Sequence, residues 1–247
     1  MRTIRYREIA EDLRARIVDG DADGEAAPGR LLPSEAELSR DYGASRATVR
    51  KALEALREEG LVDSRQGFGW FVASDPLRQD LVRLGTIESQ LAASGRRSDR
   101  RVLDFGFVAP TGRVRDVLGD EQVLRVRRLG LADGQPFVRV TIWCPQRWAA
   151  EISRADAERS SFQELLPVTL AGATQTIGAR PVSAEDASVL ALPEGAPVLV
   201  CERITRSADG EPVLLSDHVF PAHLTEFVVE LPGPETLVTP SGLRLVH

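Results

Sequence analysis

The chain has 247 residues, a formal net charge of −6, 43% hydrophobic and 28% charged residues. This is the composition of a globular protein with room for one large or two modest cores. It excludes a positive field over the whole chain, so any nucleic-acid contact must come from a local basic patch. No apolar run approaches the roughly 18 residues of a membrane helix, and the start MRTIRYREIAEDL is charged where a signal peptide is apolar. A cytoplasmic protein is expected, with Cys144 and Cys201 as buried thiols rather than a disulfide.

Residues 6–19 place Ile9, Leu13 and Ile17 on one helical stripe. The stretch GDADGEAAPG, residues 20–29, reads as a loop. After Pro33, Ser34 with Glu37 is a capping box, opening a short helix through Asp41 that Gly43 closes. Ser45 caps a longer helix ending at Gly60, with Val49, Leu53 and Leu56 turned inward. β-rich runs at 61–65 and 70–72 flank Gln66-Gly67-Phe68-Gly69, a short hairpin in which Phe71 and Val72 anchor the second strand. Asp75-Pro76 marks a boundary, so a first domain over 1–75, a linker over 76–83 and a second domain over 84–247 are expected.

In the second domain Thr86 caps a helix through Ala93, stopped by Gly95. Strands are predicted over 101–108, 123–132, 137–144, 173–182, 198–206 and 213–220, with Asp133-Gly134 and Asp209-Gly210 as hairpin turns. Short helices are predicted over 113–118, 146–152, 160–166 and 184–190, and the terminal His247 is expected to be unstructured. The economical architecture is two-domain α+β, helices followed by a hairpin and then an antiparallel sheet with helices on it.

Residues 34–60 are two helices joined by the tight turn Tyr42-Gly43-Ala44-Ser45, the spacing of a helix-turn-helix whose second helix enters a major groove. Ser45, Arg46 and Thr48 lie in its first turn, and Arg50 shares a face with Arg46. An arginine fork there can grip guanine bidentately or hold phosphate. The bland alternative is a solvated helix surface paired with Glu54 and Glu58. The tight turn, two capped helices and adjoining hairpin favour DNA.

The stretch LLPSEAELSRDYGASRATVRKALEALREEGLVDSRQGFGWFV resembles the winged helix-turn-helix of the GntR family of bacterial transcription regulators over residues 5–73. The resemblance implies DNA contacts from Ser34 and Glu35 at the start of the first helix of the pair, from Ser45, Arg46, Thr48 and Arg50, and from the wing glycines Gly67 and Gly69 with Phe68 between them. Members commonly carry arginine where this chain has Ala36, and a wing reading G-R-G-T-F-V where it has Phe68 and Trp70. The missing cations imply a weaker phosphate grip and a shallower salt dependence. Phe68 is left either as a minor-groove wedge or as a residue adding little affinity.

RVRRLGLADGQP, TIGARPVSAEDASVLAL and CERITRSADGEPVLLSDHVF make residues 78–240 similar to the UTRA effector-binding domain of the HutC subfamily, with a chorismate-lyase-like fold. That implies a homodimeric, metabolite-responsive repressor on a pseudo-palindromic double-stranded operator, with no cofactor, metal or membrane. The implied effector positions are Thr86, Arg128, Val140, Leu214, Ser216 and His218. Sugar-phosphate binders have arginine at the place of Gly130 and glutamates at Val140 and Leu214, so a less polar, singly anionic effector is expected rather than an amino-sugar phosphate. Alternation puts Arg128 and Gly130 on one strand face, and Leu214, Ser216 and His218 on another.

Two other readings stand beside this one: an enzyme of chorismate-lyase-like fold fused to a DNA-binding head, and a ligand-independent DNA-binding protein. Against the enzyme, there is no nucleophile elbow and no HExxH, and His218, His223 and Asp217 lack the common helical metal spacing. Glu58-Glu59 and Glu185-Asp186 read as solvated helix faces. Arg139 and Arg180 read as strand arginines facing water or a local acid, and Trp143 and Trp148 as packing residues.

Overall fold

A computed structural model describes residues 2–19, 27–80 and 87–231. Thr86, His247 and residues 20–26 of the expected loop lie outside the described residues. The head is built from α1 (Arg2–Asp19), α2 (Glu35–Asp41) and α3 (Arg46–Glu58), followed by a hairpin of β1 (Val62–Arg65) and β2 (Gly69–Val72). Its core joins Ile9, Ala10 and Leu13 of α1 to Leu38, Val49, Ala52, Leu53 and Leu56, and is closed by Val62 and Trp70. Each fully buried aliphatic side chain there is worth about 1.5–3 kcal/mol relative to exposure. The capping box holds as expected: Ser34 accepts from the Glu37 amide at 3.2 Å while Glu37 accepts from the Ser34 amide at 2.8 Å. Ser45 caps α3 by accepting from the Thr48 amide at 3.2 Å. Arg14 of α1 clamps Glu59 beyond the end of α3, Nε to Oε2 at 2.8 Å.

β3 (Leu77–Asp80) falls within the span expected as a linker. These residues form a strand paired in parallel with β10 (Thr225–Val228), near the far end of the described chain. The pattern of β3 gave little sign of a strand, because it is four residues long and its partner lies far away in sequence.

The second domain runs α4 (Ile87–Ala93), β4 (Ser98–Val108), α5 (Gly112–Leu118), β5 (Val123–Ala132), β6 (Gln135–Pro145), α6 (Gln146–Ala149), α7 (Arg154–Arg159), α8 (Phe162–Leu165), β7 (Leu170–Pro181), α9 (Ala184–Leu190), β8 (Pro197–Ser207) and β9 (Pro212–Pro221), then β10. The strands from β4 to β9 form one antiparallel sheet in the order β4-β5-β6-β9-β8-β7. Asp133 and Gly134 both take positive φ, 51° and 81°, which is what a tight hairpin between β5 and β6 requires. α7 was not foreseen, because its apolar content is one buried residue, Ala157.

Pairing runs Arg128–Val140–His218–Cys201 across β5, β6, β9 and β8, and one residue along it runs Leu129–Arg139–Val219–Val200. Because successive side chains alternate, the first row faces one side of the sheet and the second row the other. One face carries the large core of Leu124, Val126, Val140, Ile142, Cys144, Cys201 and Phe220. The opposite face carries Leu129, Val198 and Val219 with α9, and Val123, Ile204 and Leu215 with α5. Both cysteines are free and buried.

The head rests on this second domain. Gly29 sits at the seam with φ +80°, which disfavours any side chain, and a Cβ there would stand 2.5 Å from Leu224 Cδ2, so that leucine would have to shift. Ala191, which ends α9, holds φ 53° and ψ 44° without being glycine, a strained left-handed geometry. Ala191→Gly should therefore stabilise the protein by about 0.5–1 kcal/mol in urea unfolding; a loss of stability would contradict the strain.

Candidate functional site

The first turn of α3 is presented to solvent. Ser45, Arg46 and Arg50 are exposed and Thr48 is half-buried. The Ser45 hydroxyl is occupied by the cap and lies 2.8 Å from the Thr48 hydroxyl, so the pair forms a small polar step at the helix N-terminus, where an anion is favoured. Arg50 pairs with Glu35 rather than with Glu54 or Glu58: its Nε donates to Oε1 at 2.9 Å and its Nη2 to Oε2 at 2.6 Å. Trp70 also donates to Glu35, Nε1 to Oε1 at 3.2 Å. The Arg50 hydrogen bond, opposed by partial burial and helped by Trp70, holds the Glu35 carboxyl below the usual range. Glu35 is thus a bracket that ties the wing strand and the start of α2 to the recognition helix. Ser34 is committed to the capping box.

The wing departs from expectation. Gly67 and Gly69 are exposed, at φ +87° and +84°, but Phe68 between them is only 6% exposed. It belongs to an apolar cluster made mostly by the second domain, with Leu129, Val182, Ala187, Leu190, Ala196, Val198 and Val219, against which Leu31 of the head also packs. The His223 ring lies 4.5 Å from the Phe68 ring and 5.1 Å from Phe71. Its Nε2 donates to the Gly29 carbonyl at 3.1 Å. Burial, opposed by that hydrogen bond and aided by Arg65, pushes the His223 pKa down to about 4, so the ring is neutral at pH 7. In this structure Phe68 is a contact between domains and is unavailable to a groove. The apolar residue in a polar tip was the visible signal; its seat, assembled from distant segments, was not readable.

On the other side of the sheet, Arg128, Gly130, Val140, Leu214, Ser216 and His218 all line one pocket, as alternation predicts. The pocket encloses about 770 Å³, its open mouth included. Thr86 lies outside the described residues. The expectation missed Glu88, Arg100 and Arg203, which line it too. Arg203 was within reach of the same alternation, two residues from Cys201; Glu88 sits on a helix that only tertiary packing brings there. At Gly130 a Cβ would stand 2.7 Å from Val138 Cγ1, so valine fills the place an arginine side chain would need.

Arg128 is 8% exposed and donates from Nη1 to the carbonyls of Ala157 at 3.1 Å and Ser160 at 3.3 Å, with no carboxylate partner among the described residues. Desolvation first, and then the repulsion of Arg100, lowers its pKa to about 10 against a small opposing pull from Glu88. It remains a cation at neutral pH. Arg100 takes Glu88, Nε to Oε1 at 2.8 Å, while its buried Nη1 has no partner among the described residues. Arg203 donates to Gln175 at 2.8 Å, and burial lowers its pKa. The His218 ring is driven down to about 3 by desolvation and by Arg203, Arg139 and Arg128, so it offers a neutral imidazole.

Behind the pocket, Arg139 and Asp186 are buried and paired, Nε to Oδ1 at 2.8 Å and Nη2 to Oδ2 at 3.1 Å. Asp217, Arg127 and Arg180 complete the cluster. Burial alone would raise the Asp186 pKa, but Arg139 and then Arg180 hold it at about 2. Asp186 is therefore a structural ion and not the solvated helix residue expected.

A groove-ready helix on a small head, joined to a sheet domain with a cation-lined pocket, defines a DNA-binding regulator with a small-molecule site. The gntR family of bacterial regulatory proteins matches residues 5–72, and the UTRA domain matches residues 93–225. The chain belongs to this family of UTRA-bearing gntR regulators; it is a transcription regulator and not an enzyme. It is 34% identical over 215 residues to the HTH-type transcriptional regulator Rv0792c of Mycobacterium tuberculosis, covering 83% of this chain and 78% of that one. It is 28% identical to the HTH-type transcriptional repressor NagR of Bacillus subtilis, covering 83% and 85%. In fold it resembles PhnF from Mycobacterium smegmatis, with a TM-score of 0.59 at 21% identity over 90% of this chain and 98% of that one. No helix among the described residues is long and apolar enough to cross a membrane.

Two outcomes follow from this geometry. Arg46→Ala should weaken binding to cognate DNA by about 1–3 kcal/mol if Arg46 reads a base edge; unchanged mobility shift would remove it from the interface. The folded state holds His218 neutral, whereas the unfolded chain protonates it near pH 6.5. Its contribution to stability is thus complete above that pH and is lost as pH falls toward 3. Melting temperature against pH should decline less steeply in that window for His218→Gln than for wild type, and equal slopes would contradict the assignment.

Proposed function

We propose that the chain is a metabolite-responsive repressor that acts in the cytoplasm as a homodimer on a pseudo-palindromic operator. Two-fold symmetry of the protein would be matched by two half-sites, each taking one α3 helix in its major groove through Ser45, Arg46, Thr48 and Arg50. The name of NagR supports repression as the sense of control.

We further propose that the effector is a compact dianion, a phosphate monoester or a dicarboxylate, with an uncharged body. The observation that carries this is Arg128, a buried guanidinium supplied with carbonyl oxygens but, among the described residues, no carboxylate. Arg100 and Arg203 stand beside it, and Glu88, already engaged by Arg100, is the one acid among the described pocket residues. The described lining thus carries two positive charges in excess, one more than the sequence-based expectation of a singly charged ligand. Charge-assisted, bidentate contacts are the strong way to satisfy them. Val138, Val140, Leu214 and Phe162 offer apolar walls to the rest of the ligand. An ammonium group would find no free carboxylate among the described lining residues, which disfavours phosphates of free amino sugars.

A thermal-shift screen of phosphate monoesters and dicarboxylates should raise the melting temperature through native-state binding, and Arg128→Gln should abolish the shift. Micromolar binding of glucosamine 6-phosphate in calorimetry would contradict the charge argument.

A further inference from the structure

We propose that the wing tip of this chain is a latch: Phe68, seated in an apolar socket on the back of the effector sheet, withholds the wing from DNA until it is released. This goes beyond the effector reading and stands without it, since the contact between Phe68 and the sheet involves no group that lines the pocket.

Phe68 does not belong to the core of its own domain. The head's core is closed by Trp70, two residues away, whereas Phe68 packs with Leu129, Val198 and Val219 of the sheet and Ala187 and Leu190 of α9. The neighbouring contacts all draw the hairpin to the same place. Arg65 donates from Nη1 to the Ala222 carbonyl at 3.1 Å, and a Cβ on Gly67 would stand 3.0 Å from Pro197. His223 is wedged between Phe68 and Phe71 and tied to Gly29. With Phe68 seated and Arg65 tied to Ala222, the aromatic side of the tip cannot face a duplex at the same time, although Gly67 and Gly69 stay exposed.

Residue chemistry matches the seat. The socket is lined by aliphatic side chains and a neutral imidazole, so a charged side chain at 68 would be buried without a partner, which is strongly unfavourable. An aromatic ring is favoured there in proportion to the apolar area it buries. The start of α3 remains exposed throughout. The described conformation therefore keeps the recognition helix available and removes the wing. That is a state of reduced DNA affinity.

The socket is also wired to the pocket. Arg128 and His218 face the pocket, while Leu129 and Val219, their chain neighbours, face Phe68. A ligand that shifts β5 or β9 changes the seat directly. Coupling of this kind is reciprocal, so a pocket ligand that tightens the latch is itself bound more weakly when DNA is present.

The test uses the full chain with no small molecule added, and a duplex selected from a random pool by the wild-type protein. Phe68→Ala should bind that duplex about tenfold more tightly in fluorescence anisotropy, because apparent affinity rises as the competent fraction grows. Without DNA, tryptic cleavage after Arg65 should accelerate by a similar factor. Leu190→Ala, on the socket side and far from the hairpin in sequence, should shift both readings the same way, so that a defect confined to the hairpin cannot imitate the result. Unchanged or weaker binding by Phe68→Ala and Leu190→Ala, or unchanged cleavage after Arg65, would overturn the latch.

Discussion

The pairing register of β5, β6, β9 and β8 is the constraint on which the rest depends. With Arg128 opposite Val140, Val140 opposite His218 and His218 opposite Cys201, strand alternation assigns a polar, cation-bearing row to one face and an aliphatic row to the other. A slip of one residue in any of these strands would exchange the faces. It would place Leu129 in the pocket and a guanidinium against Phe68. The register is held by the tight turn at Asp133 and Gly134 and by apolar residues that fill both faces.

Charge is organised around the same sheet. On the back, Asp186 and Arg139 form a buried pair that Arg127, Arg180 and Asp217 extend. Such a pair adds little net stability against an apolar alternative. It does fix where α9 lies, because leaving either ion alone would be costly, and α9 supplies Ala187 and Leu190 to the Phe68 cluster. On the front, the balance is deliberately incomplete: Arg100 has Glu88, while Arg128 leans on carbonyl oxygens and Arg203 on an amide. A buried cation satisfied only by dipoles is a group prepared for an anion.

Much of this was legible in the sequence where local chemistry decides the outcome. The Ser34–Glu37 box, the Ser45 cap, the stripe of Val49, Leu53 and Leu56, and the Asp133-Gly134 turn each depend on residues within a few positions of one another. Alternation likewise put Arg128 and His218 on faces that converge on the pocket. What stayed hidden depends on contacts between remote segments. β3 is a strand only because β10 lies beside it. Glu88 reaches the pocket from a helix packed over it, and Asp186 is buried only because Arg139 meets it from another strand. Phe68 was recognisably out of place in a wing, and only the fold shows what covers it.

The seating of the wing against the effector sheet can be read most directly at His223, the ring between Phe68 and Phe71. The chain has three histidines, so their ring signals can be assigned by single substitutions and followed by NMR against pH. With the hairpin seated, His223 should titrate near 4. On saturation with the selected duplex it should move toward the unperturbed value of about 6.5, as Phe68 leaves and water enters. Titration near 6.5 in the free protein, or a value near 4 that DNA does not move, would contradict the account.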